Sequence, residues 1–86
     1  MAEVLVRVKL FPESAETDLG ELVERLGSTG FRLNAAKEEP IAFGLKALVA
    51  EFVVQDAEGE AERLEEKLRQ LSGVGELEVM EVHRLL

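Results

Sequence analysis

The chain has 86 residues, 18 of them acidic and 10 basic, for a formal charge of −8, and it contains no cysteine. A chain of this length supports one domain and one modest core, burying roughly 60–65% of its unfolded surface. Without cysteine there is no disulfide framework, thiol nucleophile or thiolate metal site. The acidic excess works against nucleic acid as a direct partner, because phosphate binding draws on clustered Lys and Arg. Four Phe, with no Tyr or Trp, also leave few platforms for stacking bases. No apolar run approaches the roughly 18 residues of a membrane span, and Glu3, Arg7 and Lys9 interrupt what would be the apolar region of an export signal. The expectation is a cytoplasmic protein with no membrane partner.

The first segment, Val4 to Leu10, alternates with period two. Val4, Val6, Val8 and Leu10 share one face, with Arg7 and Lys9 on the other, as in a half-buried strand. Pro12 ends it. Asp18 lies three residues before Glu21, an Asp variant of the capping box. Leu19, Leu22, Val23 and Leu26 then follow at helical spacing, and Gly27 and Gly30 close this first helix. Phe31, Leu33 and Ala35 alternate weakly, which predicts a second strand, and Lys37-Glu38-Glu39-Pro40 reads as a polar connection. Leu45 to Val54 reads as the central strand, with Leu48, Ala50, Phe52 and Val54 turned toward the helices. Asp56 or Gly59 opens a second helix carrying Ala61, Leu64, Leu68 and Leu71, and Ser72-Gly73 stops it. Glu76 to Arg84 gives the last strand. Its apolar parity changes between Val79 and Met80, which predicts a bulge or cover on both faces.

The predicted order is strand, helix, strand, strand, helix, strand over residues 1–86, taken as a single domain. Two right-handed crossovers sharing one sheet give an α+β class, a ferredoxin-like βαββαβ sandwich. Its four-stranded antiparallel sheet would carry both helices on one face and leave Arg7 and Lys9 on the other. Such a fold hosts many unrelated activities and decides none of them.

Catalytic chemistry is hard to place on this chain. His83 is the sole histidine and cannot make an ordinary zinc site alone; an exposed or half-buried strand residue is the expected role. Ser14, Ser28 and Ser72 stand in turn or cap contexts, and the carboxylates are spread over helix surfaces. No glycine-rich phosphate loop is present, and the loop after the first strand, Phe11-Pro12-Glu13-Ser14, is acidic. No enzyme activity, metal or cofactor is therefore expected. Two features stand apart. In Glu38 to Lys46, a proline, an aromatic and a glycine fall at a strand entry, and Phe43 is either presented outward or buried under the sheet edge. The ending Val82-His83-Arg84-Leu85-Leu86 is either a docking strand or a last core contact.

The run Glu39-Pro40-Ile41-Ala42-Phe43-Gly44-Leu45-Lys46-Ala47-Leu48 resembles the signature of archaeal elongation factor 1-beta. So do the opening Lys9 to Ser14 and the ending Glu78 to Leu86, and the likeness covers essentially the whole chain. The resemblance implies a guanine-nucleotide exchange factor of translation. Such a factor acts on the GDP-bound form of the GTPase elongation factor 1-alpha, speeding GDP release so that GTP can load. It implies the same fold, and it assigns partner contact to the Phe-Gly loop and the extreme C-terminus. Carried over by position, these are Phe43, Gly44 and Lys46 in the loop and Arg84, Leu85 and Leu86 at the end. Eukaryotic members end on a lysine and a leucine, the lysine reaching toward the magnesium site. Here the nearest cation is Arg84, so either Arg84 takes that role or magnesium is dislodged indirectly. A monomer is expected. The alternative is a small ferredoxin-like regulatory or interaction module without exchange activity, pairing through an edge strand such as residues 31–36.

Overall fold

A computed structural model describes residues 2–85, so Leu86, counted above among the candidate contacts, lies outside the described residues. The elements follow the predicted order: β1 (Glu3–Pro12), α1 (Leu19–Gly27), β2 (Arg32–Pro40), β3 (Lys46–Gln55), α2 (Glu60–Arg69) and β4 (Val74–Leu85), with a short 3-10 turn at Ala42–Gly44. The four strands form one antiparallel sheet in the order β2-β3-β1-β4. This is the ferredoxin-like α+β arrangement, with β1 and β3 inside and β2 and β4 at the edges.

Alternation in β1 and β3 aims one set of side chains at the helices. Val6, Val8, Leu10, Leu48, Ala50, Phe52 and Val54 meet Leu22 and Leu26 of α1 and Leu64 and Leu68 of α2 in one core cluster. Helix α1 starts where Asp18 accepts the amides of Gly20 (2.9 Å) and Glu21 (3.2 Å), satisfying two otherwise free donors. Only this half of the capping box forms, since Glu21 turns to Arg25 at 3.4 Å. Helix α2 has no side-chain cap and begins after Gly59, whose φ is 84°. Asp56 caps nothing there, and its carboxylate is used elsewhere.

Two departures from simple alternation shape the edges. In β4, Arg7 pairs with Glu81 but Val8 with Val79, so Met80 is an extra residue and the parity change is a bulge. In β2, Leu33 pairs with Phe52 and Ala35 with Glu51, leaving Asn34 as the extra residue. That second bulge corrects the sequence reading, because Leu33 and Ala36 face the core while Ala35 turns to the open face. Residues 37–40 also differ from expectation. They continue β2 in register with Val49, Leu48, Ala47 and Lys46 rather than forming a connection. An edge strand needs little apolar content to pair, so its charged composition hid it.

The face without helices is not bare. Leu5, Val49 and Val53 lie on it yet are buried, beneath long charged side chains that cover apolar ground with their stems. Arg7 bridges Glu51 (2.6 Å) and Glu81 (3.3 Å), Lys9 meets Glu39 (3.5 Å), Arg32 meets Glu3 (3.7 Å), and Glu81 holds His83 Nδ1 at 3.1 Å.

Candidate partner-binding site

Five residues, Ile41 to Leu45, join β2 to β3, and their backbone is closed on itself. The Ile41 amide donates to the Leu45 carbonyl (2.8 Å) and the Leu45 amide to the Ala42 carbonyl (3.3 Å). At the apex Phe43 adopts φ 62° and ψ 31°, making it the one non-glycine residue with positive φ among those described. The left-handed region costs an L-residue about 1–2 kcal/mol, and a bulky residue there is a true outlier. Gly44 follows with φ 73°, a conformation glycine takes without that penalty. The pair of left-handed residues throws the Phe43 ring outward, leaving it 97% exposed. Phe43 is thus presented to solvent and not buried under the sheet edge.

Lys46, at the base of this loop, pairs with Glu38 across the hairpin at 3.3 Å. Beside the loop runs a groove of about 430 Å³, whose walls include Pro12, Ser14, Thr17 and Leu19 on one side and Gly44 and Leu45 on the other. The β1–α1 connection is fixed by its own bonds, the Ser14 amide to Thr17 Oγ1 (3.2 Å) and the Glu16 amide to Ser14 Oγ (3.3 Å). It is also tied to the far side of the sheet, where the Glu13 amide donates to the Gly73 carbonyl at 2.9 Å. Gly75 passes so close that a Cβ there would meet Glu13 Cα and the Pro12 carbonyl at 3.1 Å.

The C-terminal candidates lie elsewhere. Val4 pairs with Arg84 and Glu3 with Leu85, at the end of the sheet remote from the Phe43 loop. The ten residues of β3 separate the two ends, about 30 Å at the usual rise, in a molecule 41 Å long. The structure therefore brings Phe43, Gly44 and Lys46 together, groups Arg84 with Leu85, and keeps the two groups apart. Arg84 points to the helix side, where its Nη2 meets Asp56 Oδ2 at 2.8 Å. Val82, on that same side, is 52% exposed.

Two residues at these ends escaped the sequence reading. Glu38 would have emerged as the partner of Lys46 had residues 37–40 been read as strand. Asp56 carried no separable signal, because an acidic residue ahead of a helix reads as a cap.

Elsewhere the chemistry is quiet. The Arg7 guanidinium, hydrogen-bonded to Glu51, holds that carboxyl below its ordinary value of 4.5, and Glu51 raises Arg7 in return. Asn34 adds a donor to Glu51 at 3.3 Å. His83 is an exposed strand residue. Among the described residues no group of three His, Asp or Glu side chains could hold a metal ion, and no helix is long and apolar enough to cross a membrane.

Comparison with known proteins accounts for the chain almost end to end. The family model of the EF-1 guanine nucleotide exchange domain matches residues 5–85. An elongation factor 1-beta of Methanosarcina barkeri is 44% identical, over 99% of this chain and all of that protein. One from Desulfurococcus amylolyticus is 46% identical over 99% of each chain, and one from Methanothermobacter thermautotrophicus is 44% identical over the full length of both. On that match, spanning both the strained loop and the C-terminal strand, the chain belongs to the family of EF-1 guanine nucleotide exchange domains and is an exchange factor of translation elongation.

Proposed function

We propose that residues 1–86 act as one cytoplasmic, monomeric exchange domain. It binds the GDP-bound form of elongation factor 1-alpha and promotes release of GDP and loading of GTP, without covalent chemistry of its own. Phe43 carries this reading: an aromatic ring 97% exposed on a backbone strained to present it. Residues held in sparsely populated backbone conformations cluster at functional sites, and here the strain serves to display the ring.

The physics of exchange asks only for differential binding. GDP is held by phosphate-loop amides and by magnesium, which neutralises the phosphate charge. A factor that binds the nucleotide-poor conformation more tightly weakens GDP by the same ratio. Phe43 and Gly44 supply one hold, with Lys46 nearby; Arg84 and Leu85, about 30 Å away at the usual strand rise, supply a second, to which Leu86 is assigned by sequence alone. Two holds that far apart fix the orientation of the GTPase, so a shift at one can be opposed by the other. In this scheme Arg84 is the cation available at the second hold.

The test is release of a fluorescent GDP from an archaeal elongation factor 1-alpha, with and without the protein. Acceleration is expected, and its loss in Phe43→Ala. No acceleration by the folded parent, with a matched GTPase, would overturn the reading.

A further inference from the structure

We propose that Asp56 is a positioning residue for exchange, fixing Arg84 and so the course of the last residues of β4. The inference rests on the reading of the C-terminus as a partner contact and adds a residue outside β4 to it.

Arg84 and Leu85 form the last described pairs of an edge strand, held on one side only by Val4 and Glu3 of β1. Packing from the helix layer is thin at this end: Val82, on the same side as Arg84, is half exposed, and α2 begins only at Glu60. An edge strand with one ladder and little apolar cover frays first. What supplements the ladder is the Arg84–Asp56 contact at 2.8 Å.

Asp56 is well placed to serve as an anchor. It lies in the β3–α2 connection, so its carboxylate reaches over β1 to β4 and ties together three strands. Its own backbone is fixed, the amide donating to the Ala2 carbonyl at 3.0 Å, while the next amide, of Ala57, donates to the Gln55 carbonyl at 2.9 Å. The helix-surface pairs Glu21–Arg25, Glu60–Arg63 and Glu65–Arg69 each span one turn of a single helix. Although Arg25 also reaches the Ser72 carbonyl at 3.0 Å and Arg63 lies over the Phe31 ring, none of them touches the end of β4. The Asp56–Arg84 pair joins segments far apart in sequence and ends on the segment that reaches for the partner. As an exposed ion pair it contributes little to global stability, so its removal leaves the fold intact.

The experiment compares the parent with Asp56→Ala and Asp56→Glu in two assays. In fluorescent-GDP release, Asp56→Ala should raise the concentration of exchange factor giving half-maximal acceleration by about two- to fivefold, the range for one exposed ion pair. The maximal rate should be retained, and Asp56→Glu should recover most of the loss. In amide hydrogen exchange of the free protein, residues 82–85 should exchange faster in Asp56→Ala by a similar factor, while Glu65→Ala leaves them unchanged. Parental half-maximal concentration in Asp56→Ala, or unchanged amide exchange at 82–85, overturns the proposal. If the parent itself fails to accelerate GDP release, the functional reading falls instead, and the amide measurement still decides whether Asp56 holds the strand end.

Discussion

The two ends of the sheet present apolar groups to solvent in opposite ways. At one, a five-residue loop closed by its own hydrogen bonds holds a single ring outward at a backbone cost. At the other, a regular edge strand runs out with Val82 half exposed and Arg84 held by one carboxylate. The first is pre-organised, and its ring loses little freedom on binding. The second is guided by a ladder on one side and an ion pair on the other. Immobilising a flexible side chain at an interface costs about 0.5–1.5 kcal/mol, so equal contact area yields more affinity at the loop than at the strand end. The loop should dominate the binding energy, with the strand end contributing direction.

Substitution at each end tests that ranking. Phe43→Ala should give the largest effect, at least a tenfold fall in exchange efficiency, as for an interfacial anchor. Thermal melts should show the stability almost unchanged, since a ring 97% exposed contributes no burial. Gly44→Val should come next. No atom lies within 4 Å of a Cβ placed there, so the cost is backbone strain at φ 73°. That strain, about 1–2 kcal/mol, lowers Tm by about 4–8 °C per kcal/mol and turns the neighbouring ring, which titrated exchange assays would register as a several-fold loss. Removing Leu85 and Leu86 should weaken exchange less than Phe43→Ala does. A truncation that abolished exchange while Phe43→Ala kept most of it would invert the comparison.

The same contrast explains what the sequence disclosed. Period-two alternation in Val4 to Leu10 and in Leu48 to Val54, and the leucine spacing of both helices, arise from one-sided burial, so they specify the fold directly. Residues 37–40 gave no such signal, because an edge strand beyond the helix cover carries Lys37, Glu38 and Glu39 without penalty. The bulge at Asn34 further broke the parity of β2. At the loop, composition left Phe43 undecided between burial and display, since Ile41 and Leu45 beside it are also apolar. Only the left-handed backbone and its two hydrogen bonds, which no residue pattern encodes, turn the ring outward. At the far end, the role of Asp56 depends on a contact across β1 that sequence distance conceals.

Between the two ends, the open face supplies the smallest effect and an internal control. Its charges are paired with one another over a buried apolar floor, and the central group, Arg7 with Glu51 and Glu81, lies midway between the two holds. Glu51→Gln should therefore leave exchange unchanged and lower stability near neutral pH, by a difference that closes in acid. Arg7 holds the Glu51 carboxyl below its ordinary value of 4.5, so the folded state favours the ionised form. The stabilisation from this shift is present above the unfolded value and lost as pH falls through the lower folded value. Melts of parent and Glu51→Gln should differ above pH 4.5 and converge as the pH falls below that ordinary value and the parent carboxyl takes up its proton. A difference that persisted undiminished in acid would show that packing at Glu51, and not its charge, stabilises this face. A loss of exchange in the same variant would extend the contact surface from the two ends across the sheet between them.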